Sequence, residues 1–276
     1  MRLRVVLTDL DGTLLEPDGA VIPEAIGALQ ALAAAGVPVC PVTSKTAAEL
    51  ASIMAHLGLT TPAGFENGAG VRHPDGRIEL LASAVPLLDL EGILADLRRR
   101  TGAPVRSLME LGDGELAALT GLDTAALPAA RARSATLPLV VDASWDGALL
   151  AALPTQPRLR LIRGNRFLHL QGDHCKANVA TRLIELAARG EGEVVACGDA
   201  PNDAELLTLA DLAVVIPGFE GANPELVRRV PVARIASRPH GAGWAGVIAE
   251  LLAEARADDA PVSASGGQET GGRQRE

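Results

Sequence analysis

The chain has 276 residues, 48% hydrophobic and 21% charged, with a formal charge of −9. At about 150 residues per domain this length predicts roughly two domains with a full core, which excludes a disulfide-stapled miniprotein and a disordered chain. The acidic balance and the scarcity of aromatics (three Phe, two Trp, no Tyr) argue against a nucleic-acid partner, which would need cations for phosphates or rings for bases.

The first predicted element is a buried strand from Arg4 to Leu10, ending in the loop DLDGT. Pro23-Glu24 opens a helix with Ile26, Leu29, Leu32 and Ala33 on one stripe, closed by Gly36. The run VPVCPV is a second strand ending in TSK. Thr46 and Glu49 have capping-box spacing and start a helix reaching about Leu57, and a third strand ends near Phe65 at GFENGAG. Strands alternating with helices imply parallel βα units. From about Ser83 to Arg163 the pattern changes. Helical pieces (Leu87–Arg100, Glu115–Leu122, Ala125–Arg133) mix with short strands near Leu139–Val141 and Arg158–Ile162, and GNR at 164–166 reads as a hairpin turn into FLHLQ. The α/β pattern then resumes with a helix from about Cys175 to Arg189, the strand EVVACGD, a helix from Asn202, the strand LAVVI and a last helix over about Gly243–Ala257. In that helix's HGAGW start, Trp244 is expected to pack near the core.

The predicted fold is α/β: a doubly wound, Rossmann-like parallel-sheet core with an inserted, smaller α+β cap domain. Its boundaries are core 1–83, cap 84–165, core 166–257 and a disordered, Gly/Ser-rich tail 258–276. The stretch from Ala25 to Ser44 is uncharged over membrane length, but Gln30, Gly36, Pro38 and Pro41 make it a helix, a turn and a strand. Asp9 comes too early for the apolar region of a signal peptide. Three cysteines form no CxxC pair, and Cys40 and Cys197 read as buried small hydrophobes. The expectation is a cytoplasmic protein with no membrane partner, either monomer or homodimer.

Four strand ends carry polar residues: DLDGT at 9–13, TSK at 43–45, ENG at 66–68 and GDAPND at 198–203. In an open parallel sheet ligands bind outside the carboxyl ends of the strands, so these loops converge on one crevice, which Lys176 at a helix start can join. Asp9 and Asp11, two residues apart, point the same way, and Asp199 and Asp203 arrive from a neighbouring strand. Four like charges need a cation, and Mg²⁺ suits carboxylate oxygens, water and phosphate. A nest of backbone N–H groups in DGT, Gly12 among them, with Thr43 and Lys176, is expected to take phosphate oxygens. Taken singly, each Asp reads more readily as a turn or cap residue; together at successive strand ends they read as a site.

As a set, DLDGTLL, Thr43, Lys176 and GDAPND resemble the four motifs of the haloacid dehalogenase superfamily of phosphohydrolases. The insertion resembles the type-2 cap of its Cof-like subgroup. VTSKTAAEL, FENGA, TGL, GNRFLH and RPHGAGW resemble the mannosyl-3-phosphoglycerate phosphatases and their relatives. That resemblance implies a Mg²⁺-dependent phosphatase of a small sugar or glycerate phosphate, with mannosyl- or glucosyl-3-phosphoglycerate the leading substrates. By the same resemblance Asp9 is the nucleophile, Asp11 the general acid and base, and Thr43 and Lys176 stabilise the phosphoryl group. Metal is held by Asp9, the Asp11 carbonyl and Asp199, with Asn202 and Asp203 at the acidic end. Where the relatives commonly read Asp-Lys-Gly, this chain has Cys175-Lys176-Ala177, and no acid follows Arg133 in RARSATLPL. A phosphotransferase or phosphomutase using the same phosphoaspartate, or a non-catalytic phospho-ligand binder, are the rival readings.

The remaining substrate-binding candidates are Ser44, Lys45, Glu66, Asn67 and Arg166. Lys45 either reaches the leaving group or is a solvated helix-start residue. Asn67-Gly68 is either a contact to the organic half of the substrate, with Glu66, or a plain turn. Arg166 either anchors a substrate carboxylate or lies free on the surface. His174-Cys175 lacks a second ligand pair for zinc, and Arg98-Arg99-Arg100 reads as a solvated helix end.

Overall fold

The computed structural model describes residues 1–155, 158–164 and 166–259. The first core segment runs β1 (Leu3–Thr8), α1 (Pro23–Ala34), β2 (Val39–Pro41), α2 (Ala47–Leu57), β3 (Ala63–Phe65), β4 (Gly70–Arg72) and β5 (Ile78–Leu80). The insertion contains α3 (Leu87–Thr101), β6 (Arg106–Ser107), α4 (Asp113–Thr120), α5 (Leu127–Arg131), β7 (Thr136–Val140), α6 (Asp146–Ala151), β8 (Leu159–Arg163) and β9 (Leu168–Gly172). The chain returns through α7 (Lys176–Ala187), β10 (Glu193–Gly198), α8 (Ala204–Leu209), β11 (Leu212–Val215), α9 (Pro224–Arg229), β12 (Arg234–Ile235) and α10 (His240–Asp259).

Five parallel strands order as β12-β11-β10-β1-β2, with β1 central between β10 and β2. Side chains alternate across this sheet because successive Cβ atoms point to opposite faces. Val6, Val195 and Cys197 join α1, α2 and α10 on one face, around the fully buried Trp244. Val5, Leu7, Val194 and Ala196 join α7, α8 and α9 on the other. Both faces are covered, so the strands read as continuous apolar runs. The Ala25–Ser44 stretch is α1, a turn and β2, and no helix of the described residues is long and apolar enough to cross a membrane.

The insertion is a four-stranded antiparallel sheet, β6-β7-β9-β8, with its own apolar cluster built on Leu90, Leu94 and Leu97 of α3 and Leu137, Leu139, Leu168 and Leu170 of the sheet. β9 pairs with both β7 and β8, so a boundary at 165 falls inside one hairpin. We place the end of the insertion after Gly172, where the two linkers cross so closely that a Cβ on Gly172 would lie 2.1 Å from the Ser83 carbonyl oxygen. The last helix runs to Asp259, past the expected start of the tail at 258; residues 260–276 lie outside the described residues, as does Asn165 of the GNR turn.

Candidate active site

Asp9 follows the last residue of β1, and its N–H donates to Cys197 O at 2.9 Å, so the sheet itself fixes where the carboxylate starts. The carboxylate is almost fully buried and lies 2.8 Å from Lys176 Nζ. Lys176 opens α7 and is buried too; the same ammonium reaches Asp203 Oδ1 at 2.6 Å. Burial and the neighbouring Asp203 and Asp199 hold the Asp9 carboxyl well above the usual carboxylate range, against the pull of Lys176. Burial pulls the Lys176 ammonium down, but Asp203 and Asp9 outweigh it and hold it above its ordinary value.

Asp203 spends its oxygens on Lys176 and on the N–H groups of Asp199 (3.1 Å) and Ala200 (3.0 Å). These contacts make it a brace for the loop. Oxygen atoms of Asp9, Asp199 and Asp203 nevertheless lie within 4.8 Å of one another. Asn202, placed by the same 3₁₀ turn, donates its Nδ2 to Asn67 Oδ1 at 3.2 Å, while its own Oδ1 is buried without a partner in the protein. Carboxylates beside an orphaned amide oxygen are the all-oxygen donor set that Mg²⁺ takes.

Gly12 adopts a left-handed φ of +78°, and a Cβ there would sit 2.6 Å from Asp199 Oδ2, so glycine is required by both the turn and the close approach. Two N–H groups of the expected DGT nest are engaged within the loop. Gly12 N–H donates to Leu15 O at 3.1 Å and Thr13 N–H to Leu10 O at 3.1 Å, because the loop closes on itself. Gly12 instead forms part of the wall, its carbonyl accepting from His240 Nδ1 at 3.1 Å. Thr13 contributes a hydroxyl that donates to Asp199 Oδ1 at 3.2 Å.

Above these groups lies a cavity of about 400 Å³ between core and insertion, lined by Asp9, Asp11, Gly12, Ser44, Lys45, Asp199 and Asn202 from the core. Thr43 is fully buried beside it, its Oγ1 accepting from Lys45 N at 3.2 Å. The insertion contributes Leu108, Leu122, Arg133, Phe167 and His169. Lys45 is not solvated: its Nζ pairs with Asp11 Oδ2 at 2.9 Å and approaches Glu49 at 3.9 Å. Burial lowers its pKa, but Asp11, Glu49 and Asp9 outweigh that and hold it raised. A larger cavity of about 570 Å³ opens where α1, α2 and α7 end, lined by Arg2, Arg4, Arg189 and Arg256 but by no carboxylate. Cations there offset helix C-termini.

Three substrate-binding expectations fail for one reason: the side chains tie the insertion to the core. Glu66 is fully buried, and its carboxylate accepts from Ser134 N (2.8 Å), Ala135 N (3.0 Å), Thr136 N (2.8 Å) and Thr136 Oγ1 (2.8 Å). Asn67, at φ +56°, donates to Gln171 Oε1 at 3.1 Å and lies behind the cavity wall. Arg166 lines the cavity, but its guanidinium is hydrogen-bonded to Thr120 O in the insertion and to Pro17 O of the core at 3.1 Å, a latch rather than an anchor. Sequence reasoning missed His169 and His240; both sit in segments it had singled out, FLHLQ and HGAGW, but a lone buried histidine carries no spacing signal.

His169 also makes a pH prediction. Burial, with Arg133, Lys176 and Arg163 nearby, lowers its pKa to about 3, against about 6.5 unfolded. The unfolded chain therefore binds the extra proton between those values, and stability falls as pH drops through that window. Urea titrations should show about 3 kcal/mol lost through this group between pH 7 and pH 4, and His169→Gln should flatten that slope. An unchanged slope would refute the assignment.

A family profile described as haloacid dehalogenase-like hydrolase matches residues 6–105. The glucosyl-3-phosphoglycerate/mannosyl-3-phosphoglycerate phosphatase of Persephonella marina is 26% identical over 271 residues, 91% of this chain and 97% of its own. The enzyme of that name from Methanococcoides burtonii is also 26% identical, over 90% of this chain and 97% of its own. The fold matches a haloalkanoate-superfamily phosphatase from Bacteroides thetaiotaomicron with a TM-score of 0.68 at 21% identity, covering 90% of this chain and 94% of that one. The matched segment carries Asp9 and the Thr43–Lys45 loop, and the full-length relatives extend the likeness through Lys176 and Asp199, so over nine-tenths of its length the chain is similar to phosphatases of the haloacid dehalogenase-like kind.

Proposed function

We propose that this protein is a Mg²⁺-dependent phosphatase that hydrolyses glucosyl- or mannosyl-3-phosphoglycerate through a phosphoaspartate at Asp9. The observation that carries this reading is the Asp9 carboxylate, held 2.8 Å from the buried Lys176 ammonium at the floor of a cavity whose rim bears the Asp11–Lys45 pair. In this reading an Asp9 oxygen attacks phosphorus, the bond from phosphorus to the alkoxide oxygen breaks, and Asp11 delivers a proton to that oxygen. Asp11 then takes a proton from the water that attacks the phosphoaspartate, releasing phosphate and restoring Asp9. Lys176 and Thr43 hold charge on the phosphoryl oxygens. Asp9, Asp199, Asn202 Oδ1 and the Asp11 carbonyl would hold Mg²⁺, which when bound offsets the clustered carboxylates and the phosphoryl charge. Leu108, Leu122 and Phe167 roof the cavity and exclude water from the reaction.

The two relatives named above act, by name, on these glycosyl phosphoglycerates. Cys40, Cys175 and Cys197 are buried and unpaired, which fits a reducing compartment, and we place the reaction in the cytoplasm. The test is phosphate release from glycosyl-3-phosphoglycerates, phosphoglycerates and simple sugar phosphates, in Mg²⁺ and in EDTA. The expected result is turnover that EDTA abolishes and Mg²⁺ restores, with kcat/KM at least tenfold higher for the glycosyl phosphoglycerates than for sugar phosphates. Release indifferent to EDTA, or absent from every member, would sink the reading.

A further inference from the structure

Arg133 stands two residues past α5, where the insertion meets the loop Thr43–Lys45. Its Nη1 donates to Thr136 Oγ1 at 2.8 Å and to Ser44 O at 3.3 Å, while its Nε is buried with no partner in the protein. The carboxylates whose charge it feels are Glu66 and Glu49. Both are engaged elsewhere: Glu66 by four donors from the insertion, Glu49 by Thr46 N at 2.8 Å and by Lys45. Of the cations on the cavity wall, Lys45 is paired with Asp11 and Arg166 is spent on two carbonyls. Among the described residues Arg133 and Arg166 line the cavity without an ion pair, and of the two it is Arg133 that has a buried guanidinium nitrogen with no partner in the protein. A guanidinium carries five donors in a fixed fork, and leaving part of that fork unmatched in a buried wall is costly unless a ligand fills it.

Position says which part of a ligand. Asp9 and Lys176 mark the phosphoryl end, and Asp11 marks the leaving oxygen. Arg133 bonds the carbonyl of Ser44, the residue before the lysine that pairs with Asp11, so it stands on the leaving-group side. His169 lines the same cavity, its strand β9 lying beside β7, and its Nδ1 is likewise buried and unpartnered. We propose that Arg133, supported by His169, is the anion-recognition site for the leaving group, so that the enzyme selects phosphomonoesters whose alcohol carries a carboxylate. This rests on the phosphatase reading above and adds to it the residue that reads the organic half. Arg133 is a binding residue here; the phosphoryl chemistry stays with the core.

The test compares 3-phosphoglycerate with glycerol phosphate, and the glucosyl derivatives of both, which differ only in a carboxylate against a hydroxymethyl group. Wild-type kcat/KM should favour the carboxylate member of each pair by about 30-fold, the size of a lost charge-assisted contact. In Arg133→Gln that ratio should collapse to within about threefold, chiefly through KM, and Arg133→Lys, which keeps charge but not the fork, should fall between. A wild-type ratio near one overturns the proposal. So does an Arg133→Gln enzyme, or an Arg133→Lys enzyme if Gln does not fold, that loses activity equally on both members, because that is a structural role. Failure of the phosphatase reading itself would show as no turnover of any substrate by wild type. Calorimetric binding of 3-phosphoglycerate then decides, a tenfold loss in the variant supporting the anion site and equal binding overturning it.

Discussion

Asp9→Asn should lower phosphate release by about 10⁴-fold or more while leaving the fold intact. The substitution is nearly isosteric, and the new amide oxygen still accepts from Lys176 Nζ, now 2.8 Å from the carboxylate. What is lost is the nucleophile: an amide oxygen does not displace an alkoxide from phosphorus, so no phosphoaspartate forms. Stability should not fall in parallel. Burial, Asp203 and Asp199 all disfavour a charged Asp9, so neutralising it relieves repulsion in metal-free protein. Thermal melting at or above the wild-type midpoint, together with loss of a trappable phosphoaspartate or fluoride mimic, is the expected pair of results. A variant that keeps a tenth of the activity would exclude Asp9 as nucleophile.

The core of the site was legible because a parallel sheet delivers its loops to one end. DLDGT, TSK and GDAPND needed only to be recognised as strand ends for Asp9, Asp11, Lys45, Asp199 and Asn202 to be expected around one cavity, and they line it. Lys176 was legible as the first residue of a helix, and it touches Asp9 from α7. The residues that misled are those between core and insertion. Glu66, Asn67 and Arg166 are polar residues in loops near the site, and nothing in their type separates a ligand contact from a tie between two bodies. That choice is made by the backbone of the other body: the three consecutive N–H groups at Ser134–Thr136 that claim Glu66 arise only when β7 docks beside 66–68. The Gly12 and Thr13 amides turned inward for a similar reason, since loop closure onto Leu10 and Leu15 depends on dihedral angles that glycine permits but does not dictate. Strands of two or three residues such as β4, β6 and β12 are too short to show a period of two, and β9 lay beyond the expected boundary because its hairpin turn was mistaken for a domain edge.

Lys176→Met should combine a catalytic loss of about 10²–10³-fold with a stability loss of about 3–5 kcal/mol, the cost of removing one partner from a buried ion pair. Methionine fills much the same space, so the effect is electrostatic rather than a cavity. With the ammonium gone, Asp9 and Asp203 lose the cation they share and face each other and Asp199 within 4.8 Å. The Asp9 carboxyl, already raised by burial, is then raised further above its unfolded value of about 4. A group with a raised folded pKa binds its proton more readily in the native state, so its stabilisation is present at acid pH and is lost as pH rises through the folded value. The variant should therefore approach wild-type stability near pH 4 and diverge from it toward pH 8. In wild type Asp9 contributes a slope of the same sign but a shallower one, because Lys176 opposes the rise and itself keeps its contribution everywhere below about 10.5. Mg²⁺ should recover part of the stability of Lys176→Met, since it supplies positive charge to the same carboxylates, but little of the activity, which needs a donor on the phosphoryl oxygens as well as charge among the carboxylates. Urea titrations of both proteins at pH 5 and pH 8, with and without Mg²⁺, read all of this. Parallel pH slopes in variant and wild type would mean that Lys176 does not offset the charge of Asp9 and Asp203 in the folded state, leaving it a role in transition-state charge only.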